Sequence, residues 1–515
     1  MHLGPIYAME QEMFATPPSL PEDVDIIVAG GGPAGSTIAR LLARLGFHVV
    51  VLEKRHFPRH QIGESLTPHI LPILDFLGVR QHIEAAGFLR MIGHTVCWGS
   101  NQPRTAYYSP DHTRQGFQVW REDFDQLLLH QARNAGVEVF ENLAVSSVAF
   151  INSNHVEVRT RQGKVTGAFF IDATGHAGVL ARHGLRRRDS IYQTLALTGY
   201  WQNASNPQGI DCANTLLETY EHGLVWSVPL HNGLRNVTLL VDWGDGSRIR
   251  RSGKTKFYLT ALQSLPYIGS LLPEAQLVQS PVVFDASWYM ASSFAGECFL
   301  LVGDAGLFID PLSSEGVHKA MASAITGAAV VNTILKRPAQ RRIAIAFYED
   351  SQRTTYDTYY QQAAQYYREE QRWPAELFWQ QRSCKEVGRS TFHNPRPEQT
   401  TQPSSFDTHV SAKISSLQIA PDVMIQACPV IEGPYVELRE AIVTSRYPRG
   451  IRFLQGINIP QLLQLVRVHN TVAEVIRRYV DTVGEHTCSP EEVRQVLARL
   501  YHEGILTSAG TTTTG

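Results

Sequence analysis

"VDIIVAGGGPAGSTIARLLARLGFHVVVLEK" spans residues 24–54. Its first seven residues, "VDIIVAG", form a short apolar run closing on glycine, the pattern of a strand buried on both faces. "STIARLLARLG" follows with helical periodicity, and Gly46 ends it. "FHVVVLEK" is a second buried strand. Strand, turn, helix and strand in that order open a doubly wound α/β sheet. In the turn, Gly30, Gly32 and Gly35 spell G-x-G-x-x-G, with Ala34 inside the pattern. Glu53 closes the second strand 18 residues beyond Gly35 and is followed by Lys54. The glycine pattern alone is weak, but a strand before it, a helix after it and an acidic residue at that distance make it specific. Glycines let the backbone approach a pyrophosphate at the helix N-terminus, where free N–H groups and the helix dipole favour anionic oxygen. Glu53 is suited to accept hydrogen bonds from ribose hydroxyls.

Two later strand ends choose between dinucleotides. "GAFFIDATG" (167–175) and "CFLLVGDAG" (298–306) are buried strands that end on Asp and Gly. Asp172, Gly303 and Asp304 suit a long ligand laid across the sheet edge, which favours FAD over NAD. Within "GDAGLFIDPLSSEGVH" (303–318) Asp304 is expected on the ribitol hydroxyls, and Pro311 shapes the turn. A helix beginning near Gly316 would aim its N-terminus at the flavin pyrimidine, where negative charge develops on reduction. Gly316 leaves room for the ring system. Glu315 has two readings that stay open here: a carboxylate complementing the helix dipole, or a group that acts on substrate.

The remaining sequence sets limits. The chain has 515 residues, 43% hydrophobic and 18% charged, with a formal net charge of −2. That is an ordinary globular composition. It gives no electrostatic case for nucleic acid or an anionic membrane as partner. Six scattered cysteines include no CxxC pair, which argues against a zinc site or a disulfide scaffold, so no metal is expected. Residues 1–22 read as a flexible leader without a secretory pattern, and no apolar run approaches a membrane span, so a cytoplasmic location is expected. From about 190 to 290 apolar and polar residues alternate, which predicts an antiparallel sheet inserted into a domain of residues 23–383. Residues 341–383 read as helix with an aromatic face turned to the core. Residues 384–412 read as a polar, proline-bearing linker. Residues 413–515 read as a separate helical module: "TVAEVIRRYVDTVG", "SPEEVRQVLARLYHEG" and "ILTSAG" give helix, helix and short strand, as in a winged helix. Ser489 with Glu492 fits a capping box.

Taken together, "GGGPAG", "LEKRHFPRHQIGESLTPH" (52–69), "VWREDFDQLLL" (119–129), "DATG", "GDAGLFIDPLSSEGVH" and "LFWQQR" (377–382) resemble the FAD-dependent monooxygenase superfamily. Within it they resemble the reduced-flavin-dependent halogenases, the tryptophan halogenase-like group. The resemblance covers roughly residues 24–380. It implies a Rossmann-like FAD-binding domain with an interleaved antiparallel substrate sheet and FAD as cofactor. It also implies Arg121 near the flavin, with Glu64 and Ser65 near the active site. No nicotinamide-binding motif is visible, so a separate flavin reductase is expected.

Three departures bear on the reaction. Such halogenases oxidise a bound halide to hypohalous acid and use it through a lysine in a segment resembling F-x-x-K-x-G. Here that segment is "FLRMIG" (88–93), with Met91 at the lysine position and Arg90 one residue out of phase, on the other face of a strand. Met91 reads as a core residue. Ser314 and Glu315 stand where the halogenases hold halide with small uncharged residues, and a carboxylate there opposes an anion. Of the W-x-W-x-I-P pattern, Trp226 and Pro229 remain, with Val228 for isoleucine. Glu64, Ser314 and Glu315 are therefore the candidate catalytic residues. The favoured reaction is hydroxylation of a small electron-rich aromatic substrate, free or carried on a protein or peptide. Halogenation by a variant site, a flavin reductase or dehydrogenase, and a flavin-binding subunit without turnover are the alternatives.

Overall fold

The apolar run Asp23–Ala29 (β1) lies inside a seven-stranded sheet, with Val49–Leu52 (β2) and Gly163–Asp172 parallel on either side. Ile26, Ile27 and Val28 are wholly buried, which is why this strand is apolar without alternation. Strand Glu138–Phe140 extends the parallel array beyond β2, and Phe299–Leu301 pairs in parallel with the end of Gly163–Asp172. Strands Ser147–Asn152 and His155–Thr160 complete the sheet in antiparallel fashion. Helix α1 (Pro33–Arg44) packs against the small-residue helix Gly316–Lys336. Gly327 allows the approach: a Cβ there would stand 2.7 Å from the Leu300 side chain and 3.1 Å from Ile38. The computed structural model describes residues 19–189, 193–205, 213–383, 417–447, 449–469, 471–484 and 488–508. The expected linker at 384–412 and the first eighteen residues of the expected leader lie outside them.

The antiparallel sheet expected from 190 to 290 is present, with Thr194–Gln202, Thr215–Tyr220, Gly223–Pro229 and Leu234–Asp242 at its centre. It is wider than that segment. Gly93–Cys97 joins it in parallel beside Thr215–Tyr220, and Arg104–Tyr107 closes the edge, giving eight strands. These two strands are four and five residues long, too short for alternation to declare them. A small sheet of Ser65–Leu66, Gly116–Gln118 and Leu89–Met91 brings the "GES" segment beside Met91. The aromatic helix Arg341–Glu369 buries Tyr348, Tyr360 and Tyr367, and Phe378 and Trp379 after it are also buried, while Tyr366 stays exposed.

In the C-terminal module, helices Val472–Val483 and Pro490–His502 and strand Leu506–Ser508 fall on the segments read from periodicity. The capping box forms in both directions: Ser489 Oγ accepts from Glu492 N, and Ser489 N donates to the Glu492 carboxylate at 2.7 Å. The module is not purely helical. A hairpin, Met424–Glu432 with Tyr435–Val443, precedes a further helix, Ile459–Val468. The hairpin carries Pro429; its first strand is mostly exposed, and its second buries Val436 and then Ala441, Ile442 and Val443 in a row, so neither propensity nor a regular alternation marks it in the sequence. It docks on the far end of the Gly316–Lys336 helix. Asn332 Nδ2 donates to Pro434 O (2.7 Å), Val436 N donates to Thr333 Oγ1 (2.8 Å), and the Arg337 guanidinium lies 3.5 Å from the Tyr435 ring centroid. No helix among the described residues is long and apolar enough to cross a membrane.

Candidate active site

The registers Ala29↔Leu52, Ala29↔Asp172 and Asp172↔Leu301 end four strands level. The glycine turn, Glu53, "DATG" and "GDAG" therefore line one carboxyl edge, where open α/β sheets bind their ligands. Gly30 has φ +100°, and a Cβ there would fall 2.4 Å from Ala173 O. Gly32 precedes Pro33, the first residue of α1. A Cβ at Gly32 would meet only an Arg59 nitrogen, at 3.1 Å, and one at Gly316 would meet nothing within 4 Å. Packing does not demand glycine at these two helix starts, so a ligand that needs the backbone bare fits both. Ala34 is buried and packs against Gly303.

Glu53 is buried, and its two oxygens accept from Gly31 N (2.8 Å) and Arg55 N (2.9 Å), with lone pairs left for a ribose. Lys54 is exposed and does not join the edge. Asp304 is half-buried; one oxygen accepts from Lys319 Nζ at 2.6 Å and the other is open to a hydroxyl. The charge of Asp304 reaches the buried Arg121. Asp172 departs from expectation. Its carboxylate accepts from Thr174 N, Thr174 Oγ1 and Leu180 N at 2.6–3.0 Å, so it closes its own loop and shapes the edge from beneath. Arg121 is likewise committed: it grips Asp125 with two nitrogens at 2.9 and 3.0 Å and donates to Ile62 O at 2.5 Å. It fixes the segment leading into Glu64. Pro311 starts a one-turn 3-10 helix capped by the Asp310 carboxylate. Ser314 follows at φ +53°, an uncommon left-handed conformation for a serine.

Beyond this edge, side chains of the small sheet and of the antiparallel sheet meet in a buried polar cluster around Glu64 and Met91. Glu64 is buried and accepts from Tyr200 OH (2.5 Å), Asn236 Nδ2 (3.2 Å) and Gly63 N (3.0 Å). Burial pushes its carboxyl above the usual range, against the pull of Tyr200 and Arg121. Trp226 packs beside Tyr200 and Val228. Met91 is buried, with Sδ 3.1 Å from Gln118 Nε2, 3.5 Å from Thr215 Oγ1 and 3.7 Å from Tyr108 OH. Ser65 joins the cluster through Gln118 Oε1 (2.7 Å) and Thr215 Oγ1 (2.9 Å). Arg90 points away, paired with Glu84 and lying over Phe117. Lys319 is the only buried lysine among the described residues, and its amine is held by Asp304 and by Leu307 O. No amine among the described residues therefore occupies the Met91 cluster.

Glu315 is 8% exposed and sits among groups drawn from its own helix start and from the distant segment Thr67–His69. Oε1 accepts from Thr67 Oγ1 (2.7 Å) and lies 3.0 Å from His69 Nδ1. His318 Nδ1 lies 3.0 Å from Oε2, near enough for an ion pair but without hydrogen-bond alignment. Burial raises the carboxyl, but His318, His69 and Thr67 outweigh it and bring it down to about 2. A carboxyl depressed below its unfolded value stabilises the fold above the unfolded pKa of 4.5, and that stability is lost as pH falls through about 2. Glu315→Gln is therefore expected to flatten the acid side of the stability curve between pH 4.5 and about 2. Thermal melts of both proteins across that range check it; parallel curves refute it. His318 and Lys319, three and four residues past Glu315, were findable from helical spacing. Thr67 and His69 lay inside a quoted motif without a sign of their partner.

This edge and cluster define a flavoprotein oxidoreductase, with a long nucleotide cradle along the carboxyl ends of the strands. The FAD binding domain family matches residues 23–363, two thirds of the chain. A tryptophan 2-halogenase of Chondromyces crocatus is 35% identical over 345 residues, covering 64% of this chain and 65% of that protein. The chain thus spans just under two thirds of that relative. The crystal structure of CmlS, a flavin-dependent halogenase, superposes with a TM-score of 0.77 at 26% identity, covering 94% of this chain and 96% of that one. A peptidyl tryptophan dihydroxylase, QhpG, shares the fold with a TM-score of 0.65 at 22% identity over 93% and 98% of the chains. The chain belongs to the FAD-binding family of flavin-dependent oxidoreductases, in the group that contains the flavin-dependent halogenases. Its cofactor is FAD, which supplies the two-electron chemistry when bound.

Proposed function

We propose that this chain is an FAD-dependent monooxygenase that hydroxylates an electron-rich aromatic substrate. One observation carries the proposal: the position expected to hold a halogen-relaying amine is a buried methionine, closed in by Gln118, Thr215 and Tyr108. Glu315 supports it, since an ionised carboxylate at the start of the Gly316 helix repels a halide. Gly30, Gly32, Glu53 and Asp304 would hold the FAD, while Arg121 keeps the segment before Glu64 in register. Burial of Glu64, Tyr200 and Met91 keeps water from the reacting oxygen. Reducing equivalents would come from a separate flavin reductase. The substrate would be small and aromatic, free or tethered.

The fold hosts halogenating and hydroxylating relatives alike, so the reaction has to be read from the site. Halogenation remains the second reading, favoured by the names of the relatives alone. Product mass spectrometry separates them. A panel of indoles and phenols is turned over with reduced FAD and oxygen, with chloride or bromide present. The expected product has gained oxygen, at a rate independent of halide. A halogen isotope pattern in place of that gain refutes hydroxylation.

A further inference from the structure

Beside the Met91 cluster stands a base that none of the hydroxylation chemistry above uses. His69 turns Nδ1 to Glu315 Oε1 at 3.0 Å, and its side chain is 42% exposed. A carboxylate on Nδ1 fixes that nitrogen as the N–H donor and leaves Nε2, across the ring, as a proton acceptor. Nε2 has no hydrogen-bond partner among the described residues. Thr67 Oγ1 binds the same Glu315 oxygen and so steadies the carboxylate. The charged and titratable groups around the pair are Glu315, His318, Tyr108 and Tyr359, the two tyrosines both within reach of the Glu315 charge. Met91 is a neighbour: Tyr108, which feels the Glu315 charge, places its OH 3.7 Å from Met91 Sδ, and a Cβ added to Gly116 would lie 3.1 Å from Met91 Cε and 3.2 Å from the Thr67 backbone. The dyad therefore borders the cluster from which the amine is missing.

Resting on the hydroxylation proposal, we infer that His69 is the general base of this site, that Glu315 is its positioning residue, and that the substrate is a phenol. Among the groups that enrich an aromatic ring, a phenolic O–H ionises near 10, within reach of an imidazole, whereas an indole N–H is only a donor. Nε2 takes the O–H proton, and the pair left on oxygen raises electron density at the ring. The ring carbon forms its C–O bond with one atom of dioxygen. The other atom leaves as water with the two electrons and two protons of reduced FAD, and the ring C–H proton passes to the newly added oxygen as aromaticity returns. The imidazolium then sits between Glu315 and the phenolate, one positive charge between two negative ones.

The test uses 4-nitrophenol, titrated into the oxidised, FAD-loaded full chain below the pH at which the free phenol ionises. Wild type is expected to bind it with a phenolate absorption band. His69→Gln is expected to bind it with the phenolate fraction down roughly tenfold, equal to a shift of about one pKa unit. Glu315→Gln is expected to lower the band as well. His82→Gln, exposed on the helix Arg80–Ala85, is expected to leave it unchanged. FAD content and melting temperature establish that each variant is folded. Wild type that fails to bind the phenol, or binds it neutral, overturns the assignment, as does an undiminished band in His69→Gln. Oxygen-bearing products without the band sink the base and leave hydroxylation standing. A halogenated product with the band does the reverse.

Discussion

Gly35→Val will give a protein that comes out colourless, with FAD affinity lowered at least about 100-fold and the thermal midpoint sharply reduced. A Cβ at Gly35 would lie 1.9 Å from Gly30 O, 3.0 Å from Gly30 C and 3.2 Å from Ala173 Cβ. Two of these three atoms are backbone of the strand end itself, so no rotamer relieves the contact. Relief requires α1 to lift off β1 at the point where its free N–H groups face the cofactor. Overpacking a core that can yield costs about 1–3 kcal/mol, and a backbone that cannot yield costs more. Moving the helix start by an ångström also removes the aimed donors on which phosphate binding depends. The control is Gly46→Ala. Gly46 has φ +86° with nothing within 4 Å of a Cβ, so only backbone strain of about 1–2 kcal/mol follows, and FAD stays bound. Flavin-to-protein absorbance ratios and melts read both. A yellow, stable Gly35→Val protein would mean that the glycine turn does not form the cradle.

The contrast between those two glycines shows what was legible in the sequence. Gly35 sits in a strand–turn–helix written within a dozen residues, and short-range patterns survive the step from sequence to fold. The Ser489–Glu492 box and the helix after it were equally local. The clusters around Glu64 and Glu315 were not legible, because their partners meet across long separations. Tyr200 reaches Glu64 over 136 residues, Asn236 reaches it over 172, and Thr67 reaches Glu315 over 248. Asp172 misled in the opposite direction. Its place after a buried strand suited a ligand group, yet Thr174 and Leu180, two and eight residues on, consume its oxygens. Met91 could be read as core because strand alternation put it and Arg90 on opposite faces. What the alternation could not supply was the identity of the polar groups that close around its sulfur. The hairpin at 424–443 escaped because its first strand buries only Cys428 and its second buries Ala441, Ile442 and Val443 consecutively, so neither strand alternates.

Asp125→Ala will destabilise the folded chain by about 3–5 kcal/mol, the cost of leaving a buried cation without its partner. Asp125 is fully buried, and Arg121 binds it through two nitrogens at 2.9 and 3.0 Å while Arg59 stands 3.3 Å away. Removing the carboxylate strands one guanidinium at 6% exposure and weakens the hold on a second. The surface pair Arg80–Asp75, at 2.9 Å, gives the comparison: both side chains are well exposed, and Asp75→Ala is expected to cost under about 1 kcal/mol. Melts at a fixed excess of FAD keep cofactor linkage equal between the two variants. If Asp125→Ala melts with Asp75→Ala, the buried pair contributes no more than a surface one. The double change Arg121→Met with Asp125→Leu separates stability from function. An apolar pair of similar volume is expected to restore much of the midpoint, because no charge is left unpaired. It will not restore activity, since Arg121 also donates to Ile62 O and so holds the segment that presents Glu64 to Tyr200 and Asn236. A double variant that recovers both would show that the arginine serves the fold alone.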